Sequence, residues 1–360
     1  MLISRTPMRV SLFGGGTDYP EYFRQKAGAV VGFAIDKYIY INAINLHAFV
    51  DYRYRIAYSK VELVDDLAKI EHPVVKSVLE TYDCRQPMDI TVQQDLPAAS
   101  GLGSSSTFTV GFLKIVFAQK GIKCSKLELA RHAIHIERDV LKEHVGVQDQ
   151  LHASFGGFHR YDFLGDSITS SRLPFEEVNG NDLTDWLILV HTGRKRRATN
   201  VIDEQLKRTT EKVIDTELNH LLAIADEAQK IILASHSTAV AERLSPLLRE
   251  SWRVKRSLST KVTDSKIDEL YDHCMASGAI AGKLCGAGGG GFLLLIVPPD
   301  RRRSFMAAVG ERRCVIFKMN FSGAEIVEIG HFRDGLMQEM GRSAASDWPV
   351  KIEDASEPSK

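Results

Sequence analysis

Three glycine-rich segments and two carboxylates in unexpected places carry the chemistry open to this sequence. The segments are Phe13-Gly-Gly-Gly-Thr-Asp18, Pro97-Ala-Ala-Ser-Gly-Leu-Gly-Ser-Ser-Ser106 and Cys285-Gly-Ala-Gly-Gly-Gly-Gly-Phe292. The middle one lies between a strand expected to end near Leu96 and a helix expected to start near Ser104. Glycines there let backbone N–H groups approach a ligand, and the free N–H groups at a helix start add partial positive charge, which together make an anion site. The hydroxyls of Ser104, Ser105 and Ser106 can add hydrogen bonds or reach a Mg2+ carried by phosphates. A single Ser would read as a helix cap. Small spacers followed by three serines ask for more.

The first carboxylate is Glu137. Ala130, Ile134, Glu137 and Leu141 are spaced four, three and four apart and share one helix face. A carboxylate on an apolar stripe costs several kcal/mol unless it is paired or metal-bound, so either a salt bridge to a core-edge Arg or a functional role is expected. His132 and His135 flank it and read as solvated histidines rather than a metal pair. The second carboxylate is Asp149, in the polar string Gly146-Val-Gln-Asp-Gln150, where Asp serves either as a turn residue or as a base.

Two phosphate motifs fail on inspection. Gly278-Ala-Ile-Ala-Gly-Lys283 is one residue short of a Walker loop, and Leu284 stands where a hydroxyl is required. Gly286, Gly288 and Gly291 match GxGxxG, but a helix precedes them and a strand follows, the reverse of the dinucleotide order.

These residues need a frame. Strands are expected at 2–12, 38–46, 53–58, 88–95 and 186–191, and helices over 104–120 and from 125 to about 141, the second opened by the capping box Ser125-Lys-Leu-Glu128. The helix over 104–120 is apolar around most of its girth, so burial is expected. Helices follow near 210–234, 239–257 and 265–276. Strands at 292–297, 314–317 and 324–329, with a helix over 301–311, predict a small separate sheet with helices on one face. The boundary falls near 190, giving units 1–190 and 191–336, with 337–360 as a mobile tail rich in Ser, Glu, Asp and Lys.

A length of 360 residues, with 44% apolar and 26% charged, supports about two domains with real cores. The 46 basic residues cancel the 46 acidic ones, which argues against nucleic acid or an anionic membrane as partner and for small molecules. Five scattered cysteines, none in CxxC spacing, and the lack of a signal-like or membrane-length apolar run predict a cytoplasmic protein, monomer or homodimer.

The segments Pro7–Tyr19, Pro97–Ser106 and Gly286–Gly291, in that order and with Glu137-Arg138 and Gly146–Asp149 between the second and third, resemble the three motifs of the GHMP small-molecule kinases over about residues 1–335. The resemblance implies an α+β, two-domain fold, N-terminally like ribosomal protein S5 domain 2 and C-terminally ferredoxin-like, with ATP and Mg2+ as cofactors in the cleft. It implies that Pro97, Ser100, Gly101, Leu102, Gly103, Ser104, Ser105 and Ser106 wrap the ATP phosphates. Ser105 and Glu137 would hold Mg2+, and Asp149 would accept the proton of the attacking hydroxyl. Arg9, where the family places Lys or Arg, would steady the transferring phosphoryl group. Asp18, Thr17, Gly16, Gly288 and Gly289 would bind substrate.

Galactokinases carry Gly-Glu-His-Thr-Asp where this sequence has Gly14-Gly15-Gly16-Thr17-Asp18, which lowers galactose. The FGGGTDYPEYF and GVQDQ wording is closest to family members that phosphorylate the anomeric hydroxyl of D-glycero-D-manno-heptose 7-phosphate. A sugar phosphate substrate wants a cationic seat, and the basic run His191-Thr-Gly-Arg-Lys-Arg-Arg197 offers Arg194 and Arg197, although a solvated loop has the same composition. Other sugar 1-kinases of the fucose or galactose type, and a non-catalytic sugar and ATP sensor, are the alternatives. A sensor has no need of the base.

Overall fold

The computed structural model describes residues 1–47, 49–173, 180–194, 199–234 and 240–329. The expected tail therefore lies outside the described residues, as do Lys195, Arg196 and Arg197. In chain order the first half runs β1 (Leu2–Phe13), α1 (Pro20–Phe23), β2 (Gly28–Asn45), β3 (Tyr54–Ala57), β4 (Val61–Val64), α2 (Pro73–Thr81), β5 (Met88–Gln94), α3 (Ser104–Lys120), α4 (Lys126–Ile134), α5 (Gln148–Phe155), β6 (Phe158–Leu164) and β7 (Ser167–Arg172). The second half runs α6 (Gly180–Trp186), β8 (Leu187–His191), α7 (Thr199–Thr210), α8 (Asp215–Ala234), α9 (Val240–Leu258), α10 (Ser265–Ala276), β9 (Ala281–Leu284), β10 (Phe292–Ile296), α11 (Arg302–Val309), β11 (Cys314–Val315) and β12 (Glu325–Ile329). None of the described helices is long and apolar enough to cross a membrane.

Eight strands form the first sheet, in the order β12-β1-β2-β5-β3-β4, with β6 and β7 branching from β2. The branch follows from the length of β2, whose first residues, Gly28–Phe33, pair with β6 while Ile39–Asn45 pair with β5. Between Pro7 and Arg9 the β1–β2 register slips, so that Pro7 faces Tyr38 but Arg9 faces Ala34. Proline has no N–H for the ladder, and the slip bends the ribbon. Past it, the Arg9 N–H donates to the Leu102 carbonyl at 3.1 Å, which ties the first glycine segment to the second.

Helix α3 packs against β1, and its residues Phe112, Leu113, Ile115 and Val116 are fully buried, each contributing about 1.5–3 kcal/mol. Gly111 permits the close approach, because a Cβ there would lie 2.6 Å from Thr6 Oγ1.

The second sheet is antiparallel, in the order β11-β8-β10-β9. Two strands sit elsewhere than expected. β8 does not close the first half; it is the inner strand between β11 and β10 of the second sheet, and Leu187–Val190 are buried on both faces, as an inner strand requires. β12 does not join that sheet; it covers the free edge of β1, with Leu2 opposite Ile329 and Arg5 paired to Glu325. The chain thus crosses from the first sheet to the second near 187 and returns at 325.

Candidate active site

The centre of the site is an ion pair built from two elements. Arg9, which is only 4% exposed, reaches from β1 with Nε and Nη2 to the two carboxylate oxygens of Asp149, each at 2.8 Å. Its Nη1 donates to the Gly101 carbonyl at 2.7 Å. A two-pronged Arg–carboxylate pair fixes both side chains in one plane. Asp149 sits in the first turn of α5, where free N–H groups favour a carboxylate. Gly103 lets the backbone pass beside it, since a Cβ there would meet Asp149 Oδ2 at 3.1 Å and Arg9 Cγ at 3.3 Å.

The glycine loop before α3 supplies the next wall. Gly101 and Gly103 have φ of +77° and +75°, a backbone open to glycine at little cost. The first intrahelical bond of α3 runs from the Thr107 N–H to the Gly103 carbonyl, leaving the amides of 104–106 at the mouth of a cavity that Gly101, Gly103, Ser104, Ser105 and Ser106 line. The other loop residues differ from expectation. Pro97 stands on the outer surface, Ser100 gives its carbonyl to the Phe292 N–H, and Leu102 is buried in the core. They set the loop's path rather than lining the cavity.

Asp18 lines the same cavity and is 1% exposed. It accepts from the Gly16 N–H at 2.9 Å and from Gln148 Nε2 at 2.9 Å, and burial pushes its carboxyl above the ordinary range. Gly16 lines the cavity; Thr17 does not. The Thr17 hydroxyl is engaged by the backbone, donating towards the Gly14 and Ala29 carbonyls and accepting from the Ala29 N–H, so it holds the turn rather than substrate. Gln148 Oε1 and Gln205 Nε2, both on buried cavity-lining residues, find no partner. Gln148 stands in the polar string that carries Asp149, but neither glutamine was singled out from the sequence as a site residue.

Glu137 is fully buried in a π-helical stretch, His135–Val140, that continues α4 where a longer α-helix was expected. Ser106 Oγ donates to Glu137 Oε2 at 2.8 Å, and Gln150 Nε2 donates to the same oxygen. Oε1 has no partner at full hydrogen-bond geometry, with the Thr109 hydroxyl close by, and burial pushes the carboxyl up to about 7 against the hydrogen bonds of Thr109, Ser106 and Gln150. No arginine pairs with it among the described residues, so the salt-bridge alternative is not realised. The expected pairing of Glu137 with Ser105 is not made either, because Ser105 turns outward on the cavity wall and Ser106, one residue on, faces the carboxylate. An orphaned buried oxygen beside a hydroxyl fits a hard cation of the Mg2+ kind, which takes few protein ligands. Among the described residues no group of three or more His, Cys, Asp or Glu could hold a metal alone. The nearby His132 is not solvated as expected; Tyr82 Oη lies 2.8 Å from its Nδ1 and its ring meets Phe117 edge-on.

The second half closes the cavity with Gly286 and Ala287 and with two lysines the sequence reading did not select as site residues, Lys255 and Lys283. Lys255 follows Ser251 and Leu248 at helical spacing on the buried face of α9, the pattern that singled out Glu137 and that would have found it. Gly288 and Gly289, expected at the substrate, instead pack on the turn before α10: a Cβ on Gly288 would lie 2.8 Å from Val262 Cα, and the Gly289 N–H donates to the Val262 carbonyl. Arg194, also expected there, is exposed and paired to Asp264 at 2.9 Å, away from the cavity.

With fold and site in view, comparison with known proteins agrees. Residues 56–157 match the GHMP kinases N terminal domain and residues 237–314 the GHMP kinases C terminal domain. The chain belongs to the GHMP kinases and is a phosphotransferase. It is 26% identical over 300 residues to the D-glycero-alpha-D-manno-heptose 7-phosphate kinase of Campylobacter jejuni, covering 79% of this chain and 86% of that one. It is 24% identical over 259 residues to the galactokinase of Thermotoga maritima, covering 71% and 70%. A crystal structure of a D-glycero-D-manno-heptose 1-phosphate kinase from B. thetaiotaomicron superposes with a TM-score of 0.75 over 92% of this chain and all of that one, at 24% identity.

Proposed function

We propose that this protein transfers the terminal phosphoryl group of ATP to the anomeric hydroxyl of D-glycero-D-manno-heptose 7-phosphate, as a step towards a nucleotide-activated heptose. The observation that carries the reading is the Arg9–Asp149 pair standing in one cavity with the free amides of α3. Those amides and the hydroxyls of Ser104 and Ser105 cradle the phosphates, with the positive end of the helix behind them. Asp149, with its carboxylate held by Arg9, takes the proton of the attacking hydroxyl, while the Arg9 guanidinium stays beside the developing charge. Asp18 and Gln148 hydrogen-bond the sugar hydroxyls and hold the acceptor in line. Glu137, with the Ser106 hydroxyl beside it, would hold Mg2+, which when bound neutralises phosphate charge. The sugar is supported by the FGGGTDYPEYF and GVQDQ wording and by the C. jejuni relative.

The test is an ADP-release assay over a panel of free and phosphorylated sugars with the wild-type chain. Turnover of the heptose 7-phosphate with the highest kcat/KM is expected. A higher kcat/KM for free fucose or galactose would move the assignment to a sugar 1-kinase of that kind, towards the galactokinase relatives.

A further inference from the structure

Two lysines from the second half line this cavity, and among the described residues no carboxylate pairs with either. Lys283, at the end of β9, is 4% exposed and donates from Nζ to the Leu12 carbonyl at 2.7 Å. Lys255, on α9, is partly buried and donates to the Leu284 carbonyl at 2.8 Å and to the Gly286 carbonyl. An ammonium has three N–H donors, so one remains on Lys255 and two on Lys283. Among the described residues neither has a carboxylate within ion-pair distance, whereas Arg9, the third cation of the cavity, is taken up by Asp149 and Gly101. A buried amine without a counter-ion tends to give up its proton unless an anion holds the charge, and a cavity lined by two of them is built for an anionic ligand group.

We propose that Lys255 and Lys283 form a phosphate seat, binding either the phosphomonoester of the acceptor or the terminal phosphate of the nucleotide. The inference rests on the phosphoryl-transfer reading of the same cavity. It is distinct from the basic run after β8, whose described member Arg194 is paired to Asp264. The seat sits where the third glycine segment backs onto the second, a Cβ on Gly286 lying 2.6 Å from Gly101 Cα, so an anion there is held between both loops. Its charge state supports the same conclusion. Burial lowers Lys283 to about 8 and lowers Lys255 as well, with Arg9 and the Cys285 thiol as titratable neighbours of both and Lys283 as a further one of Lys255. A bound phosphate draws protons back onto both amines, so binding takes up protons, which a merely structural lysine would not cause.

Calorimetric titration of the wild-type chain with inorganic phosphate, at pH 8.5 in two buffers of different ionisation heat, should show saturable binding with proton uptake. Lys255→Met and Lys283→Met should each weaken phosphate at least tenfold and reduce that uptake, with Arg at either position restoring affinity. Circular dichroism and melting establish that the variants are folded. If Lys283→Met does not fold, the Lys255→Met titration and the wild-type proton uptake still decide. The source is read from steady-state kinetics: a rise in KM for the heptose 7-phosphate with KM for ATP unchanged assigns the acceptor, and the reverse assigns the nucleotide. Phosphate affinity and both KM values unchanged in folded variants would overturn the seat. A wild type that ignores heptose 7-phosphate overturns the substrate reading alone, because the phosphate titration needs no sugar.

Discussion

Gly146 shows how tightly single positions constrain this cavity. A Cβ there would stand 2.1 Å from Asp18 Oδ2, closer than any side chain tolerates. Gly146→Ala should therefore push the Asp18 carboxylate off Gln148 and the Gly16 N–H, raising KM for the acceptor at least tenfold, which corresponds to about 1.4 kcal/mol of lost binding. Overpacking should also cost about 1–3 kcal/mol of stability. Steady-state kinetics and urea unfolding check both, and an unchanged KM would show that Asp18 does not hold the acceptor. At this scale the sequence was legible wherever a residue broke its local pattern. Glu137 stood on an apolar face and Asp149 in a glycine-bracketed polar string. Lys283 was hidden by its place in a failed Walker match, and Gln205 because a lone Gln on a polar helix breaks no rule. Which of three adjacent serines faces Glu137 depends on helix rotation, which spacing alone does not fix.

Between residues and fold, the elements around α5 add an acid sensitivity. His152 on α5 is fully buried and His159 on β6 nearly so, and burial lowers both, His159 to about 4. These are bases with depressed folded values. Their unfolded forms take up protons first, so stability is complete above the ordinary value of 6.5 and is lost as pH falls from 6.5 through about 4. Glu137, with its carboxyl raised to about 7, takes up a proton in the folded state over the same range and offsets one of the two, so the net slope approaches about 1.4 kcal/mol per pH unit. Urea midpoints measured between pH 7.5 and 5 should fall steadily below 6.5, and His159→Gln should flatten the fall. A midpoint independent of pH over that range would show that these rings are solvated. Helices α3, α9 and α10 and the capping box at Ser125 were legible because caps and a 3.6-residue period are local. The π-helical stretch was not, since its i to i+5 bonding leaves the apolar spacing close to that of an α-helix. Nor was sheet membership. β8 and β12 are short apolar strands whose partners lie about a hundred and over three hundred residues away, and periodicity carries no record of a partner.

For the whole molecule, the site is a seam. Arg9 comes from the first sheet, Lys283 from the second, Asp149 and the amides of 104–106 from helices on the first, and Lys255 from α9. The glycine segments are the hinge pins of that seam: Gly101 against Gly286, and Gly291 against the Ser100 carbonyl, leave no room for side chains between the two loops. Their order along the chain was enough to read the family and the two-part architecture, because each segment needs glycine for a reason visible locally. That Lys255 and Lys283 stand beside Arg9 was not legible, because the three become neighbours only once the two sheets are docked. The central claim is that this seam holds a base for phosphoryl transfer, and kcat of Asp149→Asn, measured alongside its affinity for ATP, tests it most directly. Loss of the carboxylate should lower kcat about 100-fold or more while ATP binds nearly as in the wild type. Wild-type turnover by the folded Asp149→Asn protein would contradict the account.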